Sequence, residues 1–344
     1  MKKKKISIAL SSGIDSTAST IILKKCGFFL EAFFMKNWEH ETKLNCNRKE
    51  LTYLKNICKQ IKINIKITNF SKEYWENVFI PFIKNIKNGE TPNPDITCNK
   101  KIKFNKLLNE VLIKKNFNSL ATGHYAKIKK IKKYKLFTSF DKKKDQTYFL
   151  YTIKTNIMKN LLLPLANYTK KKVKIYIKYY SIINYNKKES MGICFIEEKN
   201  IKNFINKFIY KNIGNIKINN KIIGKHDGIQ FYTLGEKKNI KNKKIYIYKK
   251  NSTTNTIHIT KNIKKLANLK IDINKNLNNL NKFICKAKIR HQENFNTCIL
   301  IKNKRKFKII FKIKQIAITP GQHIVLYKLN ECIGGYKLNG LNNN

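Results

Sequence analysis

The chain has 344 residues, 42% hydrophobic and 11% aromatic, enough apolar material for a packed core over two or three domains and too much for a disordered polymer. Lys and Arg number 73 against 20 Asp and Glu, a formal balance of +53; Lys rises together with Asn and Ile while only Arg48, Arg290 and Arg305 are arginines, so about half of the excess reads as compositional bias and the rest as support for an RNA partner. The eight cysteines include no Cys-x-x-Cys pair, which argues against zinc ribbons and ferredoxin-type clusters. No apolar run approaches the ~20 residues of a membrane span, and the run after Lys5 is too short for a signal peptide. These features predict a cytoplasmic protein with reduced thiols, no membrane partner and no protein-held metal.

Ile6 to Leu10 reads as a buried parallel strand, and Ser11-Ser12-Gly13-Ile14-Asp15-Ser16 as a turn of small residues opening a helix to about Lys25. Backbone N–H groups at a helix start carry partial positive charge, so this turn can cradle a polyphosphate, with Ser11 and Ser16 adding hydroxyl donors. The same residues would also make an ordinary turn capped by Asp15 or Ser16. Neither a Walker-type loop nor a dinucleotide fingerprint occurs. Phe28 to Met35 predicts a second strand, about Asn47 to Gln60 a helix, and Ile61 to Ile67 a third strand. This alternation predicts an α/β fold, a doubly wound parallel sheet covered on both faces. Ligands of such sheets sit at the carboxyl ends of the strands, where Ser11, Met35 and Gly123 would meet; Met35 serves equally as a core residue.

From Ser71 a helix with Tyr74, Val78 and Phe82 on one face runs to about Lys87, with a kink expected at Pro81. Residues 88–99 cannot continue it: Pro92 and Pro94 fix one loop shape, ending at Cys98. Lys100 to Asn116 reads as a helix with Cys98 or Asn99 at its N-terminal edge, where the dipole would favour a thiolate; the alternative is a buried structural cysteine in a proline turn. Ser119 to Tyr125 is a strand broken at Gly123, Tyr134 to Thr138 can pair back as a hairpin, and Lys144 to Tyr151 opens a helix. Thr169 caps a helix to Tyr180. A second cysteine loop, Ser190 to Ile196, contains Cys194 and precedes a helix from about Asn200 to Tyr210. Beyond Ile213 helices vanish. Phe307, Ile309, Phe311 and Ile313 alternate with lysines at the period of a half-solvated antiparallel strand. The expected domains are 1–196 for nucleotide binding and catalysis, 197–269 as a small connector, and 270–344 as a C-terminal β-barrel-like module.

The stretch at 11–16 resembles the PP-loop of ATP pyrophosphatases (adenine nucleotide alpha hydrolase-like), and the whole chain resembles the tRNA-specific 2-thiouridylases. The marks run in order over nearly its full length: Met-Lys-Asn-Trp-Glu at 35–39, Glu-Tyr-Trp-Glu-Asn-Val-Phe at 73–79, Thr-Pro-Asn-Pro-Asp-x-x-Cys-Asn-Lys-x-Ile-Lys-Phe at 91–104, Ala-Thr-Gly-His-Tyr-Ala at 121–126, Lys-Asp-Gln-Thr-Tyr-Phe-Leu-Tyr at 144–151, Met-Gly-Ile-Cys-Phe-Ile at 191–196, Thr-Leu-Gly at 233–235 and Thr-Pro-Gly-Gln at 319–322. The resemblance implies ATP-dependent replacement of the 2-oxygen of the wobble uridine (position 34) by sulfur. ATP, with Mg²⁺, would be held by Ala9, Leu10, Ser11, Ser12, Gly13, Ile14, Asp15, Ser16, Met35 and Gly123. Asn93, Pro94 and Asp95 would contact the target base, with Asp95 orienting it or moving its proton. Cys98 would be the nucleophile and Cys194 the persulfide carrier, the two forming a disulfide late in the cycle. His124, Lys144, Asp145, Gln146, Arg290, His291 and Gln322 match positions of tRNA contact. The implied partners are the anticodon region of tRNA, with Lys, Glu and Gln acceptors, and a persulfide donor, a sulfur-relay protein or cysteine desulfurase.

Two departures stand out: Ser12 replaces a family glycine, which bears on ATP affinity, and Gly235-Glu236-Lys237-Lys238 replaces a Gly-Gln-Arg-Lys type of sequence. The residues leave two other readings, a tRNA-binding protein without catalysis and another PP-loop synthetase or amidotransferase.

Overall fold

A computed structural model describes residues 4–38, 44–187, 201–240, 243–273, 282–303 and 306–338. The chain divides into two compact units, the first drawn from Met1–Phe79, Asp95–Phe195 and Asn330–Cys332, the second from Ile80–Pro94, Ile196–Leu329 and Ile333–Asn344.

The first unit begins with β1 (Lys5–Ala9), α1 (Ile14–Lys25), β2 (Phe29–Lys36), α2 (Leu44–Ile61) and β3 (Asn64–Asn69). A helical stretch follows as α3 (Ser71–Tyr74), a widened π turn (Trp75–Phe79) and α4 (Ile80–Lys87), the last belonging to the second unit. Pro81, which has no N–H to return to the preceding turn, lies just beyond that π turn, inside α4. Next come α5 (Pro94–Cys98), π-helical stretches at Asn99–Leu107 and Glu110–Lys114, and β4 (Ser119–Thr122). A hairpin of β5 (Ala126–Ile131) and β6 (Lys133–Thr138) precedes α6 (Thr147–Leu150), α7 (Thr155–Met158), β7 (Leu161–Leu162) and α8 (Lys170–Tyr179). Thr169 caps α8 as expected, accepting from the Lys172 amide at 3.2 Å.

The sheet order is β3-β2-β1-β4-β7, every pairing parallel. The strand order therefore reverses at β1, and the crevice at the carboxyl ends of β1 and β4 is the topological switch point. Ile6, Ile8, Leu30 and Ala32 pack with Leu23, Leu54 and Cys58. Ile14, Ala18 and Ile21 of α1 pack with Val173 and Ile177 of α8. Each such buried aliphatic side chain contributes about 1.5–3 kcal/mol, so both ends of the turn at 10–13 are anchored in core.

In the second unit α9 (Ile201–Asn206) leads into β8 (Gly214–Ile218), β9 (Lys221–His226), β10 (Lys237–Ile240), β11 (Lys243–Asn251) and β12 (Thr256–Thr260), in the order β10-β11-β12-β8-β9 around Ile245, Ile247, Ile257 and Ile259. The remaining strands are β13 (Ala267–Ile273), β14 (Lys282–Lys288), β15 (Asn296–Asn303), β16 (Lys306–Ile316), β17 (His323–Lys328) and β18 (Glu331–Lys337), in the order β13-β16-β15-β14-β17-β18. Glu331 and Cys332, counted with the first unit, pair with Phe137 and Leu136. The alternation expected along β16 holds for the buried Phe307, Ile309 and Phe311 and then fails, Ile313 being 70% exposed. The cause is a bulge: residues 311–314 lie between the pairs Lys270↔Ile310 and Asn268↔Gln315, so Ile313 turns outward there and the same face is buried again at Gln315.

Candidate active site

The loop at 11–16 is laced by its own hydroxyls. Ser16 Oγ donates toward the carbonyls of Ser11 (2.9 Å) and Gly13 (3.0 Å) and accepts from the Ser11 amide (3.2 Å), with Ser11 Oγ 3.1 Å away. Gly13 is the extended residue before α1 and has no side chain to cap it, so the first amides of the helix are left for a ligand. Gly123, just beyond β4, lies flat against this helix start. A Cβ there would sit 2.6 Å from the Ser16 nitrogen and 2.7 Å from the Asp15 carbonyl carbon.

Asp15 does not cap the helix. Its carboxylate is gripped by Lys170 Nζ at 2.7 and 2.8 Å and by the Tyr125 hydroxyl at 2.9 Å. Ser12, which has a side chain where the family has none, is buried and donates to Glu50 Oε1 at 2.7 Å while accepting from Lys187 Nζ. Asn184, fully buried, donates to the Ser12 carbonyl (3.2 Å) and to Thr17 Oγ1 (2.8 Å). Sequence reasoning missed Glu50, Tyr125, Lys170, Asn184 and Lys187 because no local spacing links them to the loop. Met35 is half-buried near the end of β2, in register with Thr68 of β3.

Cys98 is placed differently from expectation. The helix begins at Pro94, a residue preorganised for the first helical position, with Asp95 in its first turn. Cys98 is therefore a turn inside rather than at an amide-rich edge, and it is buried. Burial pushes its thiol up to about 11; Lys103 opposes that shift and Asp95 adds to it. The cation acting on the thiol is Lys103, whereas Lys100 is exposed. Lys103 Nζ also donates to Asn99 Oδ1 (3.1 Å), and Asn99 Nδ2 to the Phe149 carbonyl (3.3 Å). Phe104 packs on His124 with ring centroids 5.8 Å apart. His124 bonds Thr122 Oγ1 through Nδ1 at 2.8 Å, and burial, with Lys103 assisting, holds its imidazole well below the usual range. Asn93 and Asp95 are half-buried and Pro94 is buried. Cys194 and its loop lie outside the described residues.

Among the residues matched to tRNA contact is Asp145. It is 1% exposed and its oxygens accept from the Ser139 amide (3.0 Å) and Thr147 Oγ1 (2.6 Å), which makes it an internal brace of its loop. That loop is also where the expected helix from Lys144 shortens to α6; the Lys144 amide closes a turn on Asp141, and Gln146 Oε1 accepts from the Tyr125 amide. In the second unit Arg290 reaches Glu293 Oε1 (3.3 Å) and the Ala317 carbonyl (2.7 Å), and His291 is half-buried. Gln322 Oε1 is buried with no hydrogen-bond partner among the described residues. At the departure Glu236, Oε2 accepts from the Thr233 amide at 3.0 Å.

A phosphate loop at the switch point of a parallel sheet defines a nucleotide-binding protein of the HUP class, and the family models agree: residues 4–198 match a tRNA methyl transferase HUP domain, 202–261 a tRNA methyl transferase PRC-barrel domain and 263–337 an aminomethyltransferase beta-barrel domain. Among curated relatives, a protein of Buchnera aphidicola subsp. Acyrthosiphon pisum is 39% identical, with 97% of this chain and 96% of the relative covered. Relatives from Mycoplasma capricolum (37%) and Legionella pneumophila strain Paris (36%) each cover 97% of this chain and 98% of their own. All three are named tRNA-specific 2-thiouridylase MnmA. The chain belongs to this tRNA-specific 2-thiouridylase family.

Proposed function

We propose that this chain is a tRNA-uridine 2-sulfurtransferase that uses ATP to replace the 2-oxygen of the wobble uridine of tRNA with sulfur. The observation supporting it is a continuity within the first unit: Gly123 lies against Ser16 of the phosphate loop, its neighbour His124 packs on Phe104 of the helical stretch after Cys98, and Lys103 acts on both His124 and Cys98. A uridine 2-oxygen is a poor leaving group. ATP, taken as its Mg²⁺ complex, supplies the adenylyl group that makes it leave.

The residues present fit a polyphosphate. Free helix-start amides and the Ser11 and Ser16 hydroxyls face a cradle that a Cβ at Gly123 would fill, and Lys170 offsets the Asp15 carboxylate, which would otherwise repel phosphate. Asn93, Pro94 and Asp95 hold the extruded base. Cys194 carries a persulfide. Cys98 loses its proton and attacks the inner sulfur, forming a Cys98–Cys194 disulfide and releasing hydrosulfide, which adds at C2 as AMP departs with the former 2-oxygen. A thiol reductant then returns both cysteines to thiols.

The test is mass spectrometry of nucleosides from a tRNA transcript incubated with the protein, ATP·Mg²⁺ and a cysteine desulfurase with free cysteine. The expected product is 2-thiouridine at the wobble position. Unchanged uridine, with pyrophosphate released only on a small-acid acceptor, would overturn the reading.

A further inference from the structure

The segment from Gly89 to Pro94 belongs to the second unit and holds Asn93 and Pro94, two of the three residues assigned to the base. Four contacts there fasten its first half. The Glu90 amide closes the end of α4 on the Asn85 carbonyl (3.0 Å). The Thr91 amide donates to the Pro320 carbonyl at 2.8 Å. Glu90 Oε2 lies 2.7 Å from Lys337 Nζ, the last residue of β18. Gly321 adopts φ +87°, and a Cβ there would lie 2.9 Å from both Glu90 Cβ and the Thr91 nitrogen. The Gly321 amide and Gln322 carbonyl are in turn paired with Leu338, so the turn is itself held at the end of the C-terminal sheet.

The second half of the segment has little freedom of its own. Pro92 and Pro94 have fixed φ, and each restricts the residue before it, Thr91 and Asn93, to extended conformations. An orientation imposed at Thr91 is therefore carried through to Asn93 and Pro94 instead of being lost in intervening rotations.

We propose that the turn at 319–322, together with Lys337, is a positioning element for the target base, fixing residues 89–91 so that Asn93 and Pro94 meet the uridine in one geometry. This rests on the assignment of Asn93 and Pro94 made above. The element touches no reacting atom; its effect is on rate, because a misplacement of about 1 Å can cost on the order of 10²-fold.

The experiment compares the full-length wild type with Glu90→Lys, Lys337→Glu, the exchanged pair Glu90→Lys/Lys337→Glu, and Gly321→Ala. It measures melting temperature, Kd for a tRNA transcript by filter binding, and the single-turnover thiolation rate after persulfide loading. Each single charge reversal should slow thiolation about tenfold or more, with tRNA affinity within about twofold and melting lowered by no more than about 5 °C, and the exchanged pair should regain most of the rate. Gly321→Ala, whose Cβ must displace the Thr91 backbone, should be slower still, and if it fails to fold the charge pair decides alone. Single variants as fast as an active wild type, or an exchanged pair as slow as the singles, would overturn the proposal. A wild type that makes no 2-thiouridine would overturn the functional reading beneath it.

Discussion

The phosphate loop and the segment around Cys98 are both short and both belong to the first unit, yet they are held by opposite physics. The loop is tied by polar bonds from distant parts of the chain: Lys170 and Tyr125 to Asp15, Glu50 and Lys187 to Ser12, Asn184 to the Ser12 carbonyl. Those groups are satisfied before any ligand arrives, so binding polyphosphate requires no reorganisation of the loop's own charges. Cys98 instead sits in apolar burial that favours the neutral thiol. The first unit thus holds a preformed polar cradle and a thiol that burial keeps protonated.

The contrast breaks most visibly at the cysteine. Cys98→Ser should reduce thiolation by about 10³-fold or more while ATP and tRNA binding stay within a few-fold; an active variant would remove Cys98 from the chemistry. Gly123→Val attacks the cradle. Its side chain would collide with the Ser16 backbone, so thiolation should fall by about 10²-fold and the fold should lose about 1–3 kcal/mol, seen in ATP titrations and thermal melts. Unaltered ATP binding would show that the close approach is not needed.

Lys170→Met sharpens the electrostatic half of the comparison. An uncompensated Asp15 should raise the KM for ATP about tenfold, and Asp15→Asn in the same chain should recover part of it, a coupling readable in a double-mutant cycle. The dormant thiol has a direct signature: with its pKa pushed up to about 11, alkylation of Cys98 by iodoacetamide should climb about tenfold per pH unit from 7 to 10, and a plateau near pH 8 would contradict burial. The smallest effect concerns His124. Its folded pKa lies well below the ordinary value, so its contribution to stability is present above pH about 6.5 and is lost as pH falls toward the folded value. His124→Gln should make the decline of melting temperature below that pH shallower by a few degrees.

Much of the fold was legible in the chain. The buried runs at Ile6–Leu10 and Phe28–Met35, the hairpin ending at Thr138 and the cap at Thr169 follow from local pattern and appear near where that pattern puts them. The failures have local causes as well. The helix of Cys98 starts earlier because Pro94 favours a helix start as readily as it stops one, and β16 loses its alternation at Ile313 because a bulge interrupts the pairing there.

By itself the sequence determined the alternation that makes a parallel sheet, the small-residue turn after its first strand, and the ordered motifs that mark the family, because each is written in neighbouring residues. Only the tertiary structure decided which lysine neutralises Asp15, why a serine is tolerated at position 12, that Cys98 is buried, and that Asp145 is a brace. Those properties depend on groups brought together by chain reversal, and both desolvation and ion pairing act through distances in space that spacing along the chain does not encode.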